Sequence, residues 1–195
     1  MSKNTMPLHK EAWIEDLAIK IFNEIEALTK DKVGVSRESY GKGETISINY
    51  MIDLAKEFGF YIEKDAAANV YLPLEQSTKN NHILIGSHID SVPQGGNFDG
   101  LAGVIAGFLI LVYLKEKKVK TSLPIKLLVL RGEESAWYGK NCIGSKALFG
   151  LISQEDLNST HRSNGKKLSK AMSESGVKLD PVSYTHLTLP TISCV

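Results

Sequence analysis

The sequence predicts an α/β fold, three-layered (α/β/α) with a mainly parallel sheet, and three observations carry the prediction. Ile83-Leu84-Ile85 and the run from Ile125 to Leu130 have the length and composition of strands buried on both faces. Between them lies an apolar stretch, Leu101 to Leu114, of helical length, and this β-α-β order argues for a parallel pair joined by a right-handed crossover. Each strand also runs into polar residues, His88 and Asp90 after the first and Arg131-Gly132-Glu133-Glu134 after the second. Ligands of open α/β sheets sit beyond such carboxyl ends.

The elements follow in order. Residues 8 to 29 read as an amphipathic helix, with Trp13, Leu17, Ile21, Ile25 and Leu28 at near-helical spacing and Glu15, Lys20, Glu24 and Glu26 largely opposite. DKVGVSRESYGKGE is a loop rich in glycine, serine and charge. A second helix is expected from Thr45, as N-cap, to Phe58, with Gly59 as its stop. Short strands are expected near Phe60 to Glu63 and Asn69 to Leu74, then a polar loop over 75 to 81. The first buried strand delivers His88 and Asp90 to one face, a turn on Pro93 and Gly95-Gly96 follows, and Asp99 opens the apolar helix. In that helix Gly103 and Gly107 fit close approach to the sheet. Pro124 introduces the second buried strand. Short helices are expected around Ser145 to Phe149 and over 166 to 175, the latter ending at Gly176. From Pro181 onward there is neither a period nor site logic.

The chain has 195 residues, which favours one domain with a real core. The apolar fraction of 43%, charged fraction of 23% and net charge of +1 are those of an ordinary soluble protein, and no basic tract suggests nucleic acid or an anionic membrane. Leu101 to Leu114 falls short of the roughly 20 apolar residues a spanning helix needs. The opening MSKNTMPLHKEAW lacks the apolar centre of a signal peptide, so the expected location is the cytoplasm. Cys142 and Cys194 are too few for a disulfide framework.

His88, Asp90 and Asp99 around one glycine turn, with Glu133 and Glu134 at the end of the neighbouring strand, look like a metal site. Adjacent residues leaving a strand point in opposite directions, so one glutamate of the pair should face the metal and the other stand behind the ligands or over the substrate. Imidazole and carboxylates suit zinc, manganese or cobalt in a hydrolytic centre, where a second carboxylate takes a proton from the attacking water. Asp90 fits a supporting role, holding the other ring nitrogen of His88.

GSHIDSVPQGGNFDGLAGV and RGEESAWYGKNCIGSKALFG resemble the two signature blocks of the metal-dependent hydantoinase/carbamoylase family. The separations match as well, eleven residues from His88 to Asp99 and thirty-five from Asp99 to Glu134. Weaker echoes are VSRESYG, DAAANV and LSKAMSESGVKLD, so the resemblance runs over about residues 8 to 180. It implies the catalytic fold of dinuclear-metal aminopeptidases, with two divalent ions (zinc, manganese or cobalt). By the same resemblance His88 binds one metal, Asp99 bridges both, Glu134 binds the second, Glu133 is the general base and Asp90 orients His88. The implied reaction is hydrolysis of a linear C–N amide, foremost an N-carbamoyl-L-amino acid or related ureido compound, by a hydroxide bridging the metals. The implied partners are that small molecule and, in a full-length enzyme, a second subunit, with neither nucleic acid nor membrane. Trp137-Tyr138 stands where members commonly carry Arg-Phe, and Ala68 where a glycine is usual, which bears on the substrate subtype.

The family also has two further ligand histidines and an inserted dimerisation domain. His9, His82, His161 and His186 match neither histidine motif. Residues 1–180 are therefore expected to be the N-terminal part of a catalytic domain, residues 181–195 a non-native tail, and the chain by itself inactive. The alternatives are a dinuclear-metal peptidase or aminoacylase of the same clan, disfavoured by the FDG and EES blocks, and a non-catalytic fragment.

Overall fold

The computed structural model describes residues 12–77 and 81–177. Expectations for residues 8–11 and for the tail from Pro181 lie outside this range. Helix α1 (Ala12–Thr29) turns Ile21 and Ile25 fully inward, as its spacing predicts. Helix α2 spans Lys42–Glu57 and thus begins before Thr45. Gly41 takes the N-cap position, and the Thr45 hydroxyl accepts a hydrogen bond from Arg131 Nη2 at 2.6 Å instead of capping. After β1 (Glu63–Lys64) and β2 (Val70–Pro73) come β3 (Ile83–His88), α3 (Leu101–Glu116) and β4 (Ile125–Leu130). The short helices α4 (Ile143–Leu148), α5 (Gln154–Asn158) and α6 (Leu168–Glu174) complete the described residues. Sequence reasoning missed α5, although Ser153 and Asp156 form a capping box at its start.

The sheet order is β1-β2-β4-β3. The β3–β4 pair is parallel with α3 as its crossover, as the β-α-β order predicts. The sheet as a whole is mixed rather than mainly parallel, because β1–β2 and β2–β4 pair antiparallel. For β1–β2 the cause is a short connection: the chain turns back over Asp65 to Asn69, which leaves no room for the helix a parallel crossover needs. Nor is β3 buried on both faces. It is an edge strand among the described residues, and Ile83 is 41% exposed.

Val70, Leu72, Leu127 and Val129 lie opposite one another in register and face one core, which α1, α2 and α3 fill with Ile21, Ile25, Met51, Phe108 and Leu111. Ile85 sits beside Leu127 on the same face. The α3 axis comes in close: a side chain at Gly107 would meet Leu127, and one at Gly103 would meet Ser87. A second core forms beyond the carboxyl end of β4, where Tyr40, Trp137, Tyr138, Ile143 and Leu168 gather around α4 to α6. The backbone N–H groups of Ile143 and Gly144 donate to the carbonyls of Gly132 and Arg131, tying that core to the strand end. No described helix is long and apolar enough to cross a membrane.

Candidate metal centre

β3 stops at His88, and the chain turns at once. The His88 ring Nδ1 lies 3.1 Å from the Asp90 carbonyl and 3.2 Å from Asp90 Oδ1. Both partners only accept, so Nδ1 carries the proton and the Nε2 lone pair is left free. That nitrogen faces Asp99 Oδ1 at 3.7 Å and Glu133 Oε2 at 3.9 Å. His88, Glu133 and Glu134 each offer a ligand atom within 4.8 Å of the others. A lone pair turned on two carboxylates is repulsive unless a cation or proton lies between them. Bonds of about 2.0 to 2.2 Å at a tetrahedral angle set ligand atoms roughly 3.4 Å apart, close to these gaps. The donor set therefore fits a divalent metal.

Gly100 explains how the imidazole reaches this position. With φ of +66° and a Cβ that would fall 2.4 Å from His88 Cε1, it leaves the ring room to lie against its backbone. Both glutamates converge on the site, contrary to the expectation that adjacent strand residues diverge. β4 has already ended at Leu130, and Gly132 at φ +60° turns the backbone before them. Their N–H groups then donate side by side to one carboxylate, Glu133 N to Asp90 Oδ1 and Glu134 N to Asp90 Oδ2, each at 3.0 Å.

Asp90 is fully buried and forms the hub of the site. It also receives the Ser39 hydroxyl on Oδ2 at 2.7 Å. Burial pushes its pKa up, but the bonds from His88, Ser39 and the two glutamate N–H groups hold it below the usual carboxylate value. Burial alone would lower the His88 pKa; the Asp90 hydrogen bond and charge, with Glu133, reverse this and raise it. The Glu134 carboxyl is raised by burial and by the neighbouring acids, chiefly Asp90. Carboxylates gathered this close to the free His88 nitrogen suit a bound cation.

Several supporting residues escaped the sequence reading. Arg37 is fully buried, with Nε donating to the Ile89 carbonyl at 2.6 Å and Nη1 to Asn97 Oδ1 at 3.0 Å, which braces the turn that carries Asp99. Burial lowers its pKa, while the Asp90 and Asp99 charges oppose the shift. Glu44 accepts from Arg131 Nε at 2.6 Å, Gly132 N at 2.7 Å and Tyr40 N at 2.8 Å, all out of water, and so fixes the turn before Glu133. Burial pushes the Glu44 carboxyl up to about 7, against the pull of Arg131. Cys142 Sγ lies 3.4 Å from Glu133 Oε1. The only signal for Arg37 and Ser39 was the VSRESYG segment, which resembled the family without suggesting a role.

Trp137 and Tyr138 are buried: Trp137 Nε1 donates to the Ser91 carbonyl at 2.7 Å, and both rings pack on His161. They hold the scaffold behind the site. Ala68 keeps a φ of +62°, the conformation that a glycine there would adopt without strain.

The sequence profile of Peptidase family M28 matches residues 69–172. An N-carbamoyl-L-amino acid amidohydrolase of Geobacillus stearothermophilus is 34% identical over 149 residues, 76% of this chain and 36% of its own length. An uncharacterized hydrolase of Haemophilus influenzae is 31% identical over 82% of this chain and 39% of its own. The crystal structure of a hydantoinase/carbamoylase family amidase from Burkholderia ambifaria superposes with a TM-score of 0.75 at 22% identity, covering 83% of this chain and 40% of that one, and so shares the fold. The chain thus spans about two fifths of the length of the relatives it matches.

Proposed function

The chain belongs to peptidase family M28, and from that premise we propose that it carries half of the catalytic centre of a metal-dependent amidohydrolase acting on ureido compounds, foremost N-carbamoyl-L-amino acids. The observation that supports this best is the convergence of His88, Glu133 and Glu134 within 4.8 Å, with Asp99 3.7 Å from the free His88 nitrogen. His88 Nε2, Asp99 and Glu134 would hold two divalent ions, zinc, manganese or cobalt. Such ions acidify water and polarise a carbonyl.

The chain's own residues do the rest. Asp90 keeps the His88 proton on Nδ1, which would leave the Nε2 lone pair to hold a metal ion. Glu133 takes the proton of the attacking water on its carboxylate and passes it to the leaving nitrogen. The carbamate released would fall to carbon dioxide and ammonia, leaving the free amino acid. A structural zinc takes four ligands and a catalytic one three plus water, whereas the residues that would hold the two ions here are three, His88, Asp99 and Glu134. Turnover accordingly needs further ligands and, by the same reading, a second subunit.

The test begins with metal. This chain should bind cobalt(II), seen in its visible spectrum, and His88→Ala should abolish binding. Mixed with N-carbamoyl amino acids and zinc, manganese or cobalt, the chain by itself should release no amino acid above the metal-only control. In an enzyme carrying the remaining ligands, Glu133→Gln should keep metal and lose about 10²- to 10⁴-fold in rate. Near-normal turnover would remove Glu133 from the chemistry. The match to a peptidase family favours one second reading, peptide-bond hydrolysis at the same centre, and dipeptides in the same assay separate the two.

A further inference from the structure

We propose that Ser39 is a positioning residue of the metal centre: its hydroxyl fixes the Asp90 carboxylate and through it the tautomer and aim of His88. The inference rests on His88 being a ligand. Asp90 has both oxygens filled, Oδ1 by His88 Nδ1 and Glu133 N, Oδ2 by Glu134 N and Ser39 Oγ. Three of these donors belong to His88, Glu133 and Glu134, residues of the site itself, and move with it. Ser39 does not. It comes from the loop between α1 and α2, which is fastened independently beside the end of β3. Arg37 N donates to Ser91 Oγ at 3.0 Å, Ser91 N to the Arg37 carbonyl at 3.0 Å, and Arg37 Nε to the Ile89 carbonyl.

The Ser39 hydroxyl has a single proton to give. Asp90 Oδ2 at 2.7 Å receives it in preference to the Glu134 carbonyl at 3.4 Å. Ser39 and Asp90 are both fully buried. Removing the hydroxyl would open a void the size of one oxygen atom, smaller than a replacement water needs. The carboxylate would then be held on Oδ2 by Glu134 N alone and would be free to twist. Its twist decides how squarely Oδ1 meets the His88 Nδ1 proton.

The test compares wild type, Ser39→Ala and Ser39→Thr in this chain with three measurements: urea unfolding, long-range ¹H–¹⁵N NMR of the His88 ring without metal at a pH where the ring is neutral, and cobalt(II) titration in the visible. Ser39→Ala should fold, show a mixture of His88 tautomers and bind cobalt about 10- to 100-fold more weakly, the range for a lost partner behind a ligand. Ser39→Thr, which keeps the hydroxyl, should restore the single tautomer and most of the affinity. If Ser39→Ala lowers stability but leaves tautomer and affinity unchanged, Ser39 is only a packing residue and the proposal is overturned. If Ser39→Ala does not fold, Ser39→Cys replaces it. This weaker donor should give intermediate affinity, and wild-type affinity would count against the proposal. Should wild type bind no cobalt, the metal reading fails, and the NMR tautomer alone decides the role of Ser39.

Discussion

Asp90→Asn tests the hub directly, because the substitution keeps size and shape while changing one acceptor into a donor. The new amide must turn its NH₂ toward one of two pairs of donors. At Oδ1 it would meet His88 Nδ1–H and Glu133 N–H, and at Oδ2 the Ser39 hydroxyl and Glu134 N–H. The second choice costs less, since a hydroxyl can rotate to accept and a backbone N–H cannot. Glu134 N–H is then left unpaired, at about 1 to 3 kcal/mol, and the bonds at Oδ1 weaken from charge-assisted to neutral by roughly 1 kcal/mol each. The expected loss is about 3 to 5 kcal/mol, measured by urea unfolding at pH 7 with an unchanged slope. A loss below about 1 kcal/mol would mean that the four contacts do not act on a buried carboxylate, and the reasoning about Ser39 would fall with it.

The remaining predictions concern the scaffold. Glu44→Gln at pH 8.5, where the carboxyl is ionised, leaves Arg131 as a buried unpaired charge and should cost about 3 to 5 kcal/mol in the same unfolding assay. Ala68→Gly should stabilise by about 1 kcal/mol, because the left-handed conformation no longer strains a Cβ. The Asp90 pKa is lower folded than its ordinary 3.8, so its contribution is fully present above that value and lost as pH falls through the depressed one. The stability gap between wild type and Asp90→Asn should therefore stay level above about pH 5 and close in acid. A gap that widens in acid would reverse the sign of the shift.

Much of this arrangement was legible in the sequence because it depends on short-range pattern. The apolar run Ile125 to Leu130 is β4 residue for residue, and the β-α-β order fixed the parallel pairing with β3. His88, Asp99, Glu133 and Glu134 stood out because glycine turns follow or precede them. What pattern could not show was long-range satisfaction of buried polar groups. Nothing near Arg37 in the chain announces that its partners are Ile89 and Asn97, and nothing near Glu44 announces Arg131. The convergence of Glu133 and Glu134 was misread for a related reason. Alternation holds only within a strand, and the left-handed turn at Gly132 ends it.

The antiparallel placement of β2 against β4 bears on how the molecule assembles in time. Val70 pairs with Val129, Arg37 reaches Asn97 across 60 residues, and Ser39 lies 95 positions from Glu134. Contacts of such separation pay their loop-closure entropy before any of them is rewarded, which slows folding and delays those regions until the sheet has formed. The helix pair α1–α2 can associate early, but His88 and the two glutamates have no local route to one another. Cobalt uptake followed after dilution from denaturant should thus trail the recovery of helical circular dichroism, and would serve as a clock for the last step of folding.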